Sequence, residues 1–269
     1  MSLWDAHVHL FPQRLFQAIW RWFEGVDWVL PYKKFTSEEL ADLLPQHGIE
    51  KAYHLTYAHK PDMSSELNAW TREFAAQRPW LIPFAAVHPL DRDGRRELKE
   101  ALDRWNFSGV KLQLSVQKMA ADDPRLDWIY QMVEERGKLL VVHATTAPMP
   151  DANLGLNHLE PVLQAHPGLK VQLPHLGYYE FREAVECLPK YPNLYLDTSW
   201  ALGNPRVEVD RDFLCQALEK YPERFLYGSD FPITEEHLLA GLNYLESLGL
   251  QPRTLELIVQ KNAQKLVEG

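Results

Sequence analysis

Short apolar runs alternate with amphipathic stretches along the 269-residue chain. The runs fall at 3–10, 51–57, 81–87, 109–114, 138–143, 169–174, 193–198 and 224–229. Each is short, apolar and bounded by turn residues, and reads as a strand. Between them the period changes to three and four, as in Leu126, Ile129, Tyr130 and Val133, one face of a helix laid on a sheet. The same spacing predicts helices from Ser37 to Gln46, Ser64 to Gln77, Gly94 to Trp105, Pro124 to Arg136 and Arg211 to Tyr221. Thr36-Ser37-Glu38-Glu39 supplies a capping hydroxyl followed by acidic residues, and Asp123-Pro124 places proline at a first helical position. Eight strands, each followed by a helix, predict an α/β fold, a (β/α)8 TIM-type barrel occupying 1–269 as one domain. A doubly wound open sheet competes, but it would gather ligands at a single strand-order switch.

Two stretches depart from a minimal barrel. Residues 11–35 form an insertion after strand one, longer than such connections usually are. It carries Phe11, Phe16, Trp20, Trp22, Phe23, Trp28, Tyr32 and Phe35. Leaving the carboxyl end of strand one, it is expected either to cover the pocket mouth or to pack on the rim or a second subunit. A carboxyl-terminal helix from about Pro252 to Val267 is expected to lie across the barrel exterior.

Composition narrows the function. Hydrophobic residues make up 46% and charged residues 24%, as in an ordinary globular protein. A net charge of -9 argues against a nucleic-acid partner, which needs a basic surface. No apolar run is long enough to span a bilayer, and no secretion signal is visible, so a cytoplasmic protein without membrane partners is expected. Cys187 and Cys215 lack metal-binding spacing and read as reduced, bland residues.

The chemistry is concentrated at strand ends. His7 and His9 alternate in strand one, and side chains at i and i+2 share a face. His143, His175 and Asp230 each close a later apolar run. A lone strand-end histidine is more often a hydrogen-bonded structural residue than a ligand. Five such groups, from strands one, five, six and eight, instead suggest a divalent metal site, and only a closed barrel brings those strands together.

The motifs Asp5-Ala6-His7-Val8-His9-Leu10, Gly109-Val110-Lys111-Leu112-Gln113, Val142-His143-Ala144, His175-Leu176-Gly177, Leu196-Asp197-Thr198-Ser199, Gly228-Ser229-Asp230-Phe231-Pro232 and Asn262-Ala263-Gln264-Lys265-Leu266 resemble the amidohydrolase superfamily. More narrowly, they resemble its amidohydrolase-related branch, which includes aminocarboxymuconate semialdehyde decarboxylase and several hydrolases. The resemblance implies one divalent metal, zinc by first choice, held by His7, His9, His143 and Asp230, with His175 as the catalytic histidine. In the expected reaction, metal-activated water attacks a small carbonyl substrate such as a lactone, amide or ester. Asp230 accepts the water proton, and His175 polarises the substrate or returns a proton to the leaving group. The alternatives are a metal-dependent, non-oxidative decarboxylase of an unsaturated or aromatic acid, and a non-catalytic barrel that binds metal or ligand. An anion-binding arginine near the site would favour the decarboxylase. Arg14, Arg21, Arg182 and Arg206 are the candidates.

Where many relatives follow the strand-six histidine with glycines, this chain has Tyr178 and Tyr179. Binuclear members of the superfamily bridge two metals with a carboxylated strand-four lysine. Lys111 is expected instead to point inward below the rim and to pair with Asp5 or Asp197, because a buried charge needs a partner. Lys111, Gln113, Tyr178, Trp200, Trp22, Trp28, His54 and His88 complete the candidate substrate contacts, with His59 as a further rim residue. Each has an ordinary packing role as its alternative. His47, His158, His166 and His237 read as surface residues. A small-molecule substrate and a homo-oligomer are the expected partners.

Overall fold

The structure is a computed structural model that describes residues 2–26, 28–146 and 151–269. Eight parallel strands stand in the order β1 to β8. They are β1 (Leu3–Val8), β2 (Ile49–Leu55), β3 (Leu81–Ala86), β4 (Gly109–Gln113), β5 (Leu139–His143), β6 (Lys170–Leu173), β7 (Leu194–Asp197) and β8 (Phe225–Leu226). The ring closes through Ala6 N–H to Tyr227 O, Asp230 N–H to His7 O and His9 N–H to Phe231 O, at 2.7–2.9 Å. This is the expected TIM-type barrel. Its last strand is shorter than the 224–229 run suggested, because beyond Leu226 the backbone N–H groups of Tyr227 and Gly228 turn to Ile258 O and Thr198 Oγ1, and the chain bends into Asp230, whose φ is 66°.

The helices are α1 (Gln13–Glu24), α2 (Ser37–Gln46), α3 (Ser64–Ala76), α4 (Gly94–Lys99), α5 (Leu114–Gln117), α6 (Asp127–Glu135), α7 (Leu156–Ala165), α8 (Phe181–Cys187), α9 (Arg211–Lys220), α10 (Ala240–Ser247), α11 (Pro252–Glu256) and α12 (Asn262–Glu268). Among the described residues, no helix is long and apolar enough to cross a membrane. The capping box at Thr36 forms: its hydroxyl accepts from Glu39 N–H, and the Glu39 carboxylate accepts from Thr36 N–H at 2.7 Å. The helix expected from Pro124 begins at Asp127 instead, after a turn in which Leu126 N–H bonds to Asp123 O. The helix expected over Gly94 to Trp105 passes from α4 into a wider π-helical turn at Glu100–Arg104.

Two apolar layers hold the barrel. The larger lies between strands and helices. The smaller fills the amino-terminal end of the barrel interior with Trp4, Tyr53, Phe84, Leu139, Val141 and Leu226. Ala263 and Leu266 of α12 pack into this inner cluster, and Tyr53 Oη–H donates to Ala263 O. The carboxyl-terminal helix therefore plugs the barrel's lower end rather than lying across its exterior. With that end filled, the opposite, carboxyl-terminal rim is where a ligand can enter.

Candidate active site

His7 and His9 leave β1 toward the interior with their Nε2 atoms 3.1 Å apart. Asp230 Oδ1 stands 3.2 Å from His9 Nε2 and 3.5 Å from His7 Nε2. The hydrogen bonds on the far side of each ring decide where the protons are. His9 Nδ1 faces the Leu55 carbonyl at 2.7 Å, and a carbonyl only accepts, so Nδ1 carries the hydrogen. His7 Nδ1 donates to Asp197 Oδ2 at 2.8 Å. Burial, then the Lys111 charge, pushes His7 down to about 4, which keeps it neutral. Two imidazole nitrogens and a carboxylate oxygen thus converge on one point, with the Lys111 ammonium 3.5 Å from His7 Nε2 beside them. Three lone pairs turned on one point repel unless a cation lies between them, so this donor set fits a divalent metal. Among the described residues, His7, His9 and Asp230 are the only group whose ligand atoms all lie within 4.8 Å of one another.

Asp197 is the hub behind them. Burial alone would raise its pKa, but the contacts with His7 and the field of His175 hold it below the usual carboxylate range. Besides His7 it accepts from Gln172 Nε2 at 2.6 Å and from the backbone N–H groups of His175 and Ser199 at 3.1 and 3.0 Å. One carboxylate therefore positions both a candidate ligand and the candidate catalytic histidine. Gly228 allows the close approach of the strand-eight segment, since a Cβ there would stand 2.8 Å from that of His7.

His175 Nδ1 donates to Ser199 O at 2.9 Å, and its Nε2 lies 3.1 Å from His143 Nδ1. With Nδ1 so engaged, ligation by His143 would have to run through Nε2. His175, Leu176, Gly177 and Tyr178 all have positive φ. Trp200 and Asp230 share that left-handed conformation, at φ 56° and 66°. Strain of this kind at non-glycine residues persists only where the surroundings hold it, and it gathers at functional sites.

The pocket above these groups has a volume of about 630 Å³. His9, His143, His175, Asp230, Gln113, Trp200, Trp22 and Trp28 all line it, and His59 joins them at the rim. Trp28 stacks on Trp200 with ring centres 5.6 Å apart, and Tyr178 packs on Trp200 at a tilt, 5.1 Å away. Four expectations need correction. His54 points outward between the barrel and α3, packed on Trp70 and Phe74, with Nε2 donating to Leu10 O at 3.0 Å. His88 is spent in a turn, its Nδ1 accepting from Leu90 N–H at 3.2 Å. Lys111 pairs directly with neither Asp5 nor Asp197. Its ammonium sits 3.5 Å from His7 Nε2, and burial draws it down to about 8 against the pull of Asp197 and Asp230. Asp5 is occupied by the His7 and Ser229 N–H groups, and burial raises it to about 7. His166 is also buried rather than on the surface, between Glu134 and Asp127.

Tyr57 and Ser199 are site residues that the sequence reading missed. Tyr57 lines the pocket beside His9, their rings 5.6 Å apart edge to face. Strand parity would have found it, because Tyr53 and Leu55 alternate inward just below. Nothing local marks Ser199, whose hydroxyl touches Asp197, His7 and His175.

This chain belongs to the amidohydrolase family, whose sequence model matches residues 4–268. Solved structures extend the likeness in fold. An uncharacterized TIM-barrel protein from Bordetella bronchiseptica is 23% identical, covers 99% of each chain and superposes with a TM-score of 0.79. A 2,6-dihydroxybenzoate decarboxylase from Rhizobium is 18% identical over 100% of this chain and 99% of its own, with a TM-score of 0.71. A 4-oxalomesaconate hydratase from Rhodopseudomonas palustris is 15% identical over 99% and 95%, with a TM-score of 0.65. No curated protein matches the chain. Proteins of this fold thus include enzymes of different reaction classes.

Proposed function

We propose that this protein is a metal-dependent hydrolase of a small carbonyl compound, a lactone, ester or amide. The observation that carries the reading is the convergence of the His7, His9 and Asp230 donor atoms beside the pocket that also holds His175. A divalent ion, zinc by first choice for imidazole and carboxylate donors, would supply a Lewis acid and lower the pKa of a coordinated water toward about 7. His7, His9 and Asp230 would hold it, with His143 as a fourth ligand. Asp230 keeps spare lone pairs and lies where it can take the proton of the attacking water. His175 lines the same pocket, its ring stacked on that of His7 with centres 5.4 Å apart. Its tautomer is set by Ser199 O, so proton exchange runs through Nε2, toward the leaving group and in contact with His143 Nδ1. The stacked Trp28 and Trp200 form an apolar wall that limits water around the reacting carbon.

The second reading, a non-oxidative decarboxylase, draws support from the barrel shared with the Rhizobium enzyme and uses the same groups. An arginine to seat the acid would favour it. Among the described residues lining the pocket there is none. Arg182 is paired with Asp210, and Arg206 with Glu235. Assays of the zinc-loaded protein decide the matter, with neutral lactones, esters and amides in one arm and aromatic acids in the other. Hydrolysis without carbon dioxide release supports the first reading. Carbon dioxide release from the acids alone overturns it.

A further inference from the structure

Helix α1 carries two apolar faces. Phe16 and Trp20, four apart, are buried against the barrel. Leu15, Ala18, Ile19 and Trp22, at the spacing i, i+3, i+4 and i+7, share a second face, and all four line the pocket. This second face is only partly spent on the core: Leu15 and Ile19 pack against it, while Ala18 and Trp22 take no part in it. Leu15 and Ile19 are only half-buried, Ala18 is exposed, and Trp22 is 54% exposed. Apolar surface left turned toward an open cavity gains nothing for folding, and a grouped set of such side chains marks a place where something apolar binds. Phe23 and Trp28 extend the same wall.

The charges in the pocket point the same way. Among the described lining residues, Lys118 is the only lysine or arginine. Its Nζ already lies 3.7 Å from Asp151 Oδ2, and the other oxygen of Asp151 accepts from the backbone and side chain of Asn153. His59, at the rim, has its imidazole lowered from the ordinary value by partial desolvation and then by the Lys60 charge. Away from the His7–His9–Asp230 cluster, the wall offers no uncommitted cation for a substrate carboxylate or phosphate.

We propose that the α1 face formed by Leu15, Ala18, Ile19 and Trp22 is a specificity subsite for an uncharged apolar group, a ring or branched chain, attached to the reacting carbonyl. This deepens the hydrolase reading and rests on it for the reacting carbonyl, while the subsite itself is tested by binding alone. The α1 face also separates the roles of the insertion: Phe16 and Trp20 hold the helix on the barrel, and the second face meets the ligand.

The test is calorimetric binding of two neutral carbonyl probes, trifluoroacetone and trifluoroacetophenone, to the zinc-loaded protein. They differ only in a methyl against a phenyl group. The phenyl ketone is expected to bind at least tenfold more tightly. Trp22→Ala and Ala18→Asp alter side chains that are exposed and carry no part of the core, so their melting temperatures should match the wild type. Each should reduce the phenyl advantage to about threefold or less and leave trifluoroacetone affinity unchanged. Equal affinity for the two probes in the wild type overturns the subsite, as does a phenyl advantage that survives both substitutions. A phenyl advantage sensitive to α1, in a protein that hydrolyses no ester, lactone or amide, leaves the subsite standing and removes the hydrolase reading instead.

Discussion

His7 and His9 turn their Nε2 atoms on one another across 3.1 Å, each with its opposite nitrogen donating a hydrogen bond to an acceptor behind it. With the far nitrogens so engaged, only the two facing Nε2 atoms are left to bind a cation, with Asp230 Oδ1 beside them. The arrangement costs free energy that a bound cation would return.

Metal binding should therefore stabilise the fold. Removing it with a chelator is expected to lower the melting temperature, and adding back zinc to restore it. Elemental analysis should give one ion per chain. Two bridged ions with a carboxylated Lys111 would contradict the mononuclear site, since the Lys111 ammonium lies against His7.

His175→Ala and Asp230→Asn should separate chemistry from metal retention. Loss of His175 is expected to lower turnover by about two to four orders of magnitude while metal content stays at the wild-type level. Loss of the Asp230 charge should reduce both. Paired metal and rate measurements on the two variants read this directly, and wild-type turnover by His175→Ala would remove its role.

Stability should depend on pH through His54. Burial pushes its imidazole down to about 4 from the ordinary 6.5. The folded state resists protonation that the unfolded chain accepts, so the contribution is complete above about pH 6.5 and is lost as pH falls through about 4. Its full size is about 3 kcal/mol by linkage. His7, lowered by burial to about 4, acts in the same window. Urea unfolding of His54→Gln at pH 7, 5.5 and 4.5 should show a shallower decline than the wild type, and an unchanged slope would place the acid sensitivity elsewhere.

Gly228→Ala should disturb the site from behind. The added methyl would approach the Cβ atoms of His7 and Ser199 to 2.8 and 3.2 Å. A loss of about 1–3 kcal/mol in stability is expected, as for other overpacked positions, with weaker zinc affinity because His7 is displaced. Thermal melting and metal titration together check it.

Strand repeats and the alternation of His7 with His9 were legible because they are local: a period of two sets a face before any neighbour is known. The α1 helix was missed although Phe16, Trp20 and Phe23 have helical spacing, because Leu15, Ala18, Ile19 and Trp22 add a second apolar face and blur the first. His54 misled for a related reason. Its position in β2 places it on the outer face, while Tyr53 and Leu55 face inward.

By itself, the amino-acid sequence determined the alternation of strand and helix, the family, and which imidazoles and carboxylates end strands. Those properties depend on residue order and short-range sterics. Only the tertiary structure decided which of those groups share a point in space. Asp197 serving both His7 and His175, Lys111 standing at His7 rather than at Asp5, and α12 filling the lower barrel all depend on contacts between distant segments. Such contacts are selected by packing and hydrogen-bond satisfaction across the closed ring, which no local pattern encodes.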